Sequence, residues 1–171
     1  MIAIAAVDKN WAIGKDGKLL FHIKEDMQQF REHTSGNIIV MGRKTLETFP
    51  GGRPLEGREN IIFSTNPSYS VKGALVVHSH IELFEYLEDL RDKGDDREVF
   101  IVGGEKVYGD LIDYCDYAII TKIDFAADAD AYFPDLDKRE GWILKGESDE
   151  NTSFDLAYTF CVYENTNPRN F

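Results

Sequence analysis

One residue breaks an otherwise apolar pattern. In GKLLFHIKEDMQQF (residues 17–30), a helix beginning near Ile23 sets Ile23, Met27 and Phe30 on one face, the i, i+4, i+7 stripe that faces a core. The i+3 member of that stripe is Asp26. A carboxylate held between apolar neighbours has its pKa raised by desolvation. That suits it to proton handling, or to pairing with a cationic, hydrogen-bonding heterocycle. A purely structural role competes with this, because acids are favoured in a helix's first turn. Glu25 already fills that role from a more exposed angle.

Two junctions offer a second kind of chemistry. IIVMGRKT (residues 38–45) sets Gly42, Arg43, Lys44 and Thr45 where a buried strand passes into a helix. Basic side chains in a first turn oppose the helix macrodipole, unless an anion docks on the free N–H groups there. Solvated surface charge is the alternative reading. FIVGGEKVYGDLI repeats the arrangement, with Gly103-Gly104 at the break and Lys106 in the first turn. The GxGxxG dinucleotide fingerprint is absent. Two such junctions in one open sheet point to a ligand at the carboxyl ends of its strands.

Ser64 and Thr65 add hydroxyls at that same edge, as ligand contacts or as turn caps. Arg58, in LEGREN, is either a surface charge or a clamp for a carboxylate. His22, His33, His78 and His80 make no ligand pattern, so no metal site is expected. With no GxSxG, a hydrolase triad lacks its nucleophile turn.

Nineteen basic against 31 acidic residues leave a net charge of −12, which repels nucleic acid and anionic membranes. Cys115 and Cys161 sit in apolar runs outside any CxxC spacing and read as buried free thiols in a reducing compartment. The opening MIAIAAVDKNW lacks the basic region of a signal peptide, and no run reaches the ~20 apolar residues of a membrane helix. A cytoplasmic protein is expected.

The elements that must hold these residues alternate through the first two-thirds. Strands are expected at Met1–Val7, Asn37–Met41, Asn60–Ser64, Ala74–His78, Glu98–Val102 and Tyr114–Ile123. Helices are expected at Ile23–Thr34, Gly42–Phe49, Ile81–Lys93 and Glu105–Ile112. Asp8–Leu20 reads as a long binding loop. Tyr132-Phe133, Trp142–Lys145 and Phe154–Tyr163 add strands without helices between them. This implies an α/β fold in one domain over residues 1–171, parallel first and antiparallel at the end.

The order and spacing of these segments resemble dihydrofolate reductase along nearly the whole chain. The resemblance is carried by IAIAAV, WAIGKDGKLLFHIKEDM, IIVMGRKTLETFP, RPLEGRENIIFS, IVGGEKVY, ITKID with DAYFPD, and the segment Phe154–Tyr163. It implies a mixed, mostly parallel eight-stranded sheet with an antiparallel C-terminal strand and four flanking helices. It also implies an oxidoreductase, monomeric, that transfers a hydride from NADPH to 7,8-dihydrofolate and supplies tetrahydrofolate for one-carbon and thymidylate metabolism.

By the same resemblance, Asp26 is the active-site carboxylate, binding the pterin edge and promoting protonation of its ring nitrogen, with Thr121 as its hydroxyl partner. Ile4, Ala5, Met27, Phe30 and Val102 match the pterin and benzoyl pocket, and Arg58 the clamp on the substrate's glutamate. Ala6, Ile13, Gly14 and Leu19 match contacts to the nicotinamide half of the cofactor. Gly42, Arg43, Lys44 and Thr45 match the first phosphate junction, where Arg43 faces the adenosine 2′-phosphate, and Ser64 and Thr65 line the adenosine side. Gly103, Gly104, Glu105, Lys106 and Val107 match the second junction, with its cis Gly-Gly bond, and Tyr108 lies near both ligands. The basic residues favour NADPH over NADH.

One departure falls beside the carboxylate. Most of the family reads LPW where this chain has Leu19-Leu20-Phe21, and Phe21 has no indole donor to hold a water near Asp26. Two other functions fit the fold class: a reductase acting on a riboflavin precursor, which the helix carboxylate and Arg58 disfavour, and a non-catalytic NADPH- or folate-binding module.

Overall fold

The computed structural model describes residues 1–171. Its first strand, β1 (Ile2–Val7), is the wholly apolar IAIAAV. A hairpin of β2 (Ala12–Lys15) and β3 (Lys18–Leu19) follows, then α1 (Lys24–Thr34), β4 (Ile38–Gly42) and the short α2 (Arg43–Glu47). Next come β5 (Glu59–Phe63), β6 (Ala74–Val77), α3 (His80–Asp92), β7 (Val99–Ile101), α4 (Glu105–Leu111) and β8 (Tyr117–Ile123). The remainder is all strand: β9 (Ala131–Tyr132), β10 (Trp142–Glu147), β11 (Asn151–Ser153) and β12 (Leu156–Asn165).

Eight strands run in the order β10-β12-β8-β1-β7-β4-β5-β6, with β11 attached to β12. All pairings from β8 to β6 are parallel, and β12 is antiparallel to both β8 and β10. The expected mixed sheet and its antiparallel C-terminal strand are present, as are the four helices.

Helices on both faces explain the unbroken apolar strands. Ile38 and Val40 turn to one side, into a cluster with Ala3, Ile61 and Ile101 under Leu83 and Leu87 of α3 and Leu111 of α4. Ile39 and Met41 turn to the other, with Ile4, Ile62, Phe100 and Leu46 of α2. Ser79 caps α3 by accepting from the Glu82 amide at 3.2 Å, while the Glu82 carboxylate reaches back to the His78 amide at 2.7 Å.

Three expectations need correction. Asp8–Leu20 is not a plain loop: β2 and β3 form a hairpin that joins β9 in a separate three-stranded sheet. Asp16 (φ 49°) and Gly17 (φ 73°) both take positive φ at its tip, the requirement of a tight hairpin turn with two central residues. The base of this hairpin is held by Asp8, which is buried. Its Oδ1 accepts from the Asn10 and Ala12 amides at 2.8 and 2.9 Å, and its Oδ2 from the Ala127 amide at 2.9 Å. Second, Tyr114–Ile123 is not one strand, because Ile112–Tyr114 forms a 3₁₀ turn before β8 begins at Tyr117. Third, α2 ends at Glu47 rather than near Phe49. Cys115 and Cys161 are free and buried, as expected.

Candidate active site

Asp26 enters the site from the first turn of α1, and β8 brings its partner. Thr121 lies opposite Ala6 of β1 and opposite Phe160 of β12, so three strands fix its position. Its hydroxyl donates to Asp26 Oδ1 at 2.6 Å, a length typical of a charge-assisted bond. Burial raises the Asp26 pKa above the usual carboxylate range, and the Thr121 hydrogen bond opposes that rise by favouring the ionised form. No other carboxylate shares this hydrogen bond, so Asp26 and Thr121 form a single-acid site.

The stripe that motivated Asp26 does not face a core. Ile23 is buried, packing with Ile123 and Tyr158, but Met27 is 54% exposed. Phe30 is half-buried against Ile4 and Val102, together with Phe49 and Leu55. The inner face of α1 is therefore only partly covered, and the half-buried carboxylate stands on the wall of this candidate cleft. Phe49 and Leu55 pack against the same cluster as Phe30, and sequence reasoning missed them. Their only signal was two large apolar residues flanking the polar Pro50–Pro54 turn.

Tyr108 ties the cleft to the sheet. It is buried, and its hydroxyl donates to the Ile4 carbonyl at 2.6 Å. Burial and the nearby Asp26 charge raise its pKa, so it is a neutral donor at physiological pH. Ala5 and Ala6 are half-buried in β1, and Ala6 packs in the Ile23 cluster with Phe21. Phe21 also meets Phe125 edge-to-face, with centroids 6.1 Å apart.

Arg58 lies at the outer end of α1. Its Nη1 donates to Thr34 Oγ1 at 3.2 Å, and its Nε and Nη2 to the Glu56 carbonyl at 3.0 and 2.9 Å. All three acceptors are neutral, and no carboxylate pairs with it. Desolvation, and then the charge of Arg31, lower its pKa, though an arginine remains cationic throughout the physiological range.

The two glycine junctions meet. β4 and β7 are adjacent and parallel, with Val40 opposite Ile101, so their carboxyl ends open side by side. The Gly42 amide donates to the Gly103 carbonyl at 2.9 Å. A Cβ at Gly103 or at Gly104 would come within 3.3 Å of Thr45 Oγ1, and Gly103 has φ +126°. The Gly103–Gly104 peptide bond is cis. Neither helix that follows carries a side-chain cap, so the first N–H groups of both are free for an anion.

The charged residues of the junctions behave differently from one another. Arg43 and Lys44 are exposed beside the first junction, Arg43 with only a long 3.8 Å contact to Glu47. Lys106 turns away along α4 to Asp110, at 2.6 Å. Glu105 accepts from the Tyr132 amide at 2.9 Å and so links the second junction to the hairpin sheet. Val107 is buried against Gly42. In the hairpin, Ile13 is half-buried, Leu19 is exposed, and Gly14 leaves only 3.0 Å between a Cβ and the Lys18 carbonyl oxygen. Ser64 is buried and accepts from the Asn66 amide at 3.2 Å, a turn-capping use of its hydroxyl; Thr65 is exposed.

A family profile described as dihydrofolate reductase matches residues 1–165. The chain belongs to the dihydrofolate reductase family. Among curated proteins it is 38% identical to the dihydrofolate reductase of Bacillus subtilis, over 96% of this chain and 94% of that one. It is 31% identical to dihydrofolate reductase HdrB of Haloferax volcanii, over 98% and 84%. Among solved structures it is similar to the dihydrofolate reductase from Enterococcus faecalis complexed with NADP(H) and RAB-propyl. That match has a TM-score of 0.80 and 33% identity, over 95% of this chain and 94% of that one.

Proposed function

We propose that this protein reduces 7,8-dihydrofolate to 5,6,7,8-tetrahydrofolate with NADPH. The observation that carries the reading is the Asp26–Thr121 pair, a lone carboxylate of raised pKa on an apolar wall, with an unpaired Arg58 at the cleft's far end. NADPH supplies the hydride. Gly42, Thr45, Gly103 and Gly104 suit its pyrophosphate, because glycine at the junction leaves room for close approach. Arg43 and Lys44 suit an additional phosphate on the adenosine; Glu105, Lys106 and Val107 complete the second junction. Ser64 and Thr65 border the adenosine end, and Ala6, Ile13, Gly14 and Leu19 the nicotinamide end.

Asp26 holds the pterin's amino edge and favours the protonated ring nitrogen. Thr121 keeps the carboxylate oriented by donating to Oδ1 and leaves Oδ2 for the substrate. Ile4, Ala5, Met27, Phe30 and Val102 exclude water from the rings, which strengthens that polar contact. Arg58 clamps a glutamate carboxylate, and Tyr108 lines the region between the two ligands. Phe21 supports the apolar wall without donating a hydrogen bond.

We further infer one domain over residues 1–171, working as a monomer in the cytoplasm without nucleic acid. The net charge of −12 and the free thiols support this, and no helix is long and apolar enough to cross a membrane. The test of the main reading is dihydrofolate-dependent loss of NADPH absorbance, with NADH as comparison and Asp26→Asn as control. Full activity in that variant refutes the role given to Asp26. Preference for a ribosylated pyrimidine refutes the substrate.

A further inference from the structure

Residues 166–171 follow the segment that the family profile matches, and they fold back onto the body of the protein. The Thr166 amide donates to the Gly141 carbonyl at 2.7 Å, and the Arg169 amide to the Asp113 carbonyl at 2.8 Å. The Arg169 guanidinium adds a 3.5 Å contact to the Asp113 carboxylate. These bonds lead the chain past the 3₁₀ turn at Ile112–Tyr114 and bring Phe171 to α3. There its ring stacks on Phe84, with centroids 4.6 Å and planes 15° apart, and meets Tyr114 edge-on at 6.4 Å.

Covering apolar surface is one account of that stack, yet Phe171 stays 42% exposed. The contacts beyond Phe84 give a second account. Phe84 follows His80 on α3 at i+4, and its ring lies 6.4 Å from the imidazole. Phe63, the last residue of β5, meets the same imidazole edge-to-face at 5.3 Å. His80 Nε2 is 3.4 Å from Asp110 Oδ2 on α4, the carboxylate that also takes Lys106 at 2.6 Å. The imidazole thus joins three elements: the end of β5 that leads into Ser64 and Thr65, the start of α3, and the helix that rises from the second glycine junction. Two aromatic neighbours and one acceptor fix its ring plane.

Resting on the NADPH reading above, we propose that Phe171 is a positioning residue for the adenosine half of the cofactor. It holds Phe84, Phe84 holds His80, and His80 keeps the carboxyl end of β5 at its spacing from α4. The brace is specific to one ligand. Phe63 and Phe84 pack in the cluster under α3 and α4, whereas Phe30 and Val102 pack in the other, so the dihydrofolate cleft lies outside this line of contacts.

The experiment follows protein fluorescence in Phe171→Ala during titration with NADPH, with adenosine 2′,5′-bisphosphate and with reduced nicotinamide mononucleotide. The Kd values of NADPH and of the adenosine fragment are expected to rise together, roughly threefold to tenfold, the scale of coupling through packed side chains. The Kd of the nicotinamide fragment, and the dihydrofolate KM at saturating NADPH, stay at wild-type values. Phe171→Tyr restores both raised constants. His80→Ala gives the same loss, and adding Phe171→Ala to it changes nothing further, because the two act in series. Should the alanine variant fail to fold in denaturant titration, Phe171→Leu is read in the same way, since it keeps apolar cover and loses the stacked face. Unchanged NADPH affinity overturns the brace. Equal weakening of both fragments overturns it too, since Phe171 is then a general support. Additive losses in the double variant overturn the route through His80. Wild-type protein that binds neither NADPH nor the adenosine fragment refutes the cofactor reading, and the brace with it.

Discussion

Thr45 and Gly103 face each other across the two glycine junctions, with 3.3 Å between the threonine hydroxyl and the place where a Cβ on Gly103 would sit. Gly103 also holds φ +126°, where an L side chain is strained whatever the space. Gly103→Ala therefore separates the junctions or distorts the turn between them. NADPH affinity is expected to fall at least about tenfold, because the anion cradle needs both helix ends in register. Fluorescence titration with NADPH measures this, with Gly109→Ala as control: a Cβ there meets nothing within 4 Å.

Asp26→Asn removes the site's one acid while nearly preserving shape. A drop in kcat of roughly 10²–10⁴-fold is expected, the usual range for losing a positioned proton-handling group. Stability should change in the opposite sense. The folded pKa of Asp26 lies above its unfolded value near 3.8, so folded protein binds that proton more tightly than unfolded protein does. The wild type thus loses stability as pH rises from about 3.8 through the raised value. Thermal melts across pH should show Asp26→Asn gaining on the wild type toward neutrality and converging with it in acid.

Thr121→Val deletes the donor and keeps the volume. The hydrogen bond to the ionised carboxylate is what holds the Asp26 pKa down, so its removal lets the pKa climb further. The limb of the kcat/KM profile that reports Asp26 is expected to move to higher pH. Thr121→Ser, which retains the hydroxyl, should leave the limb in place. Losing the bond should also cost about 1–2 kcal/mol of stability at neutral pH, measurable by denaturant titration.

Arg43→Gln tests the choice of cofactor. Arg43 is exposed beside an uncapped helix end and has only the 3.8 Å contact with Glu47 to neutralise it. Preference for NADPH over NADH, measured as a ratio of kcat/KM values, should fall roughly tenfold, in line with one charge-assisted contact to phosphate. An unchanged ratio would move 2′-phosphate recognition to Lys44.

Much of this site was legible because its residues contradict their local pattern. Asp26 interrupts a stripe, and Arg43 and Lys44 occupy a turn where cations are unfavourable. Each points to something outside its own helix. The four consecutive buried residues of β4 likewise announce a strand covered on both faces. What escaped was set by contacts distant in sequence. Lys106 has the same first-turn placement as Lys44, but its ammonium goes to Asp110. Met27 fits a core pattern, and only the tertiary arrangement leaves its side open. The β2–β3 hairpin was hidden by brevity: strands of four and two residues carry little periodicity. The Asp16-Gly17 pair was its one clear signal.

The placement of β1 has a consequence for synthesis. Strand β1 pairs on one side with β7, where Ile2 meets Phe100, and on the other with β8, where it meets Tyr117. By contrast, β4, β5 and β6 are successive neighbours and can associate as they emerge. The nascent chain therefore carries IAIAAV unpaired until β7 (Val99–Ile101) has emerged, with two open edges of the kind that recruit other strands. Closure of the sheet around β1 joins the ends of the chain, and the carboxylate of α1 meets its threonine only at that late moment. The Asp26–Thr121 pair cannot form on the growing chain until β8 has joined the sheet.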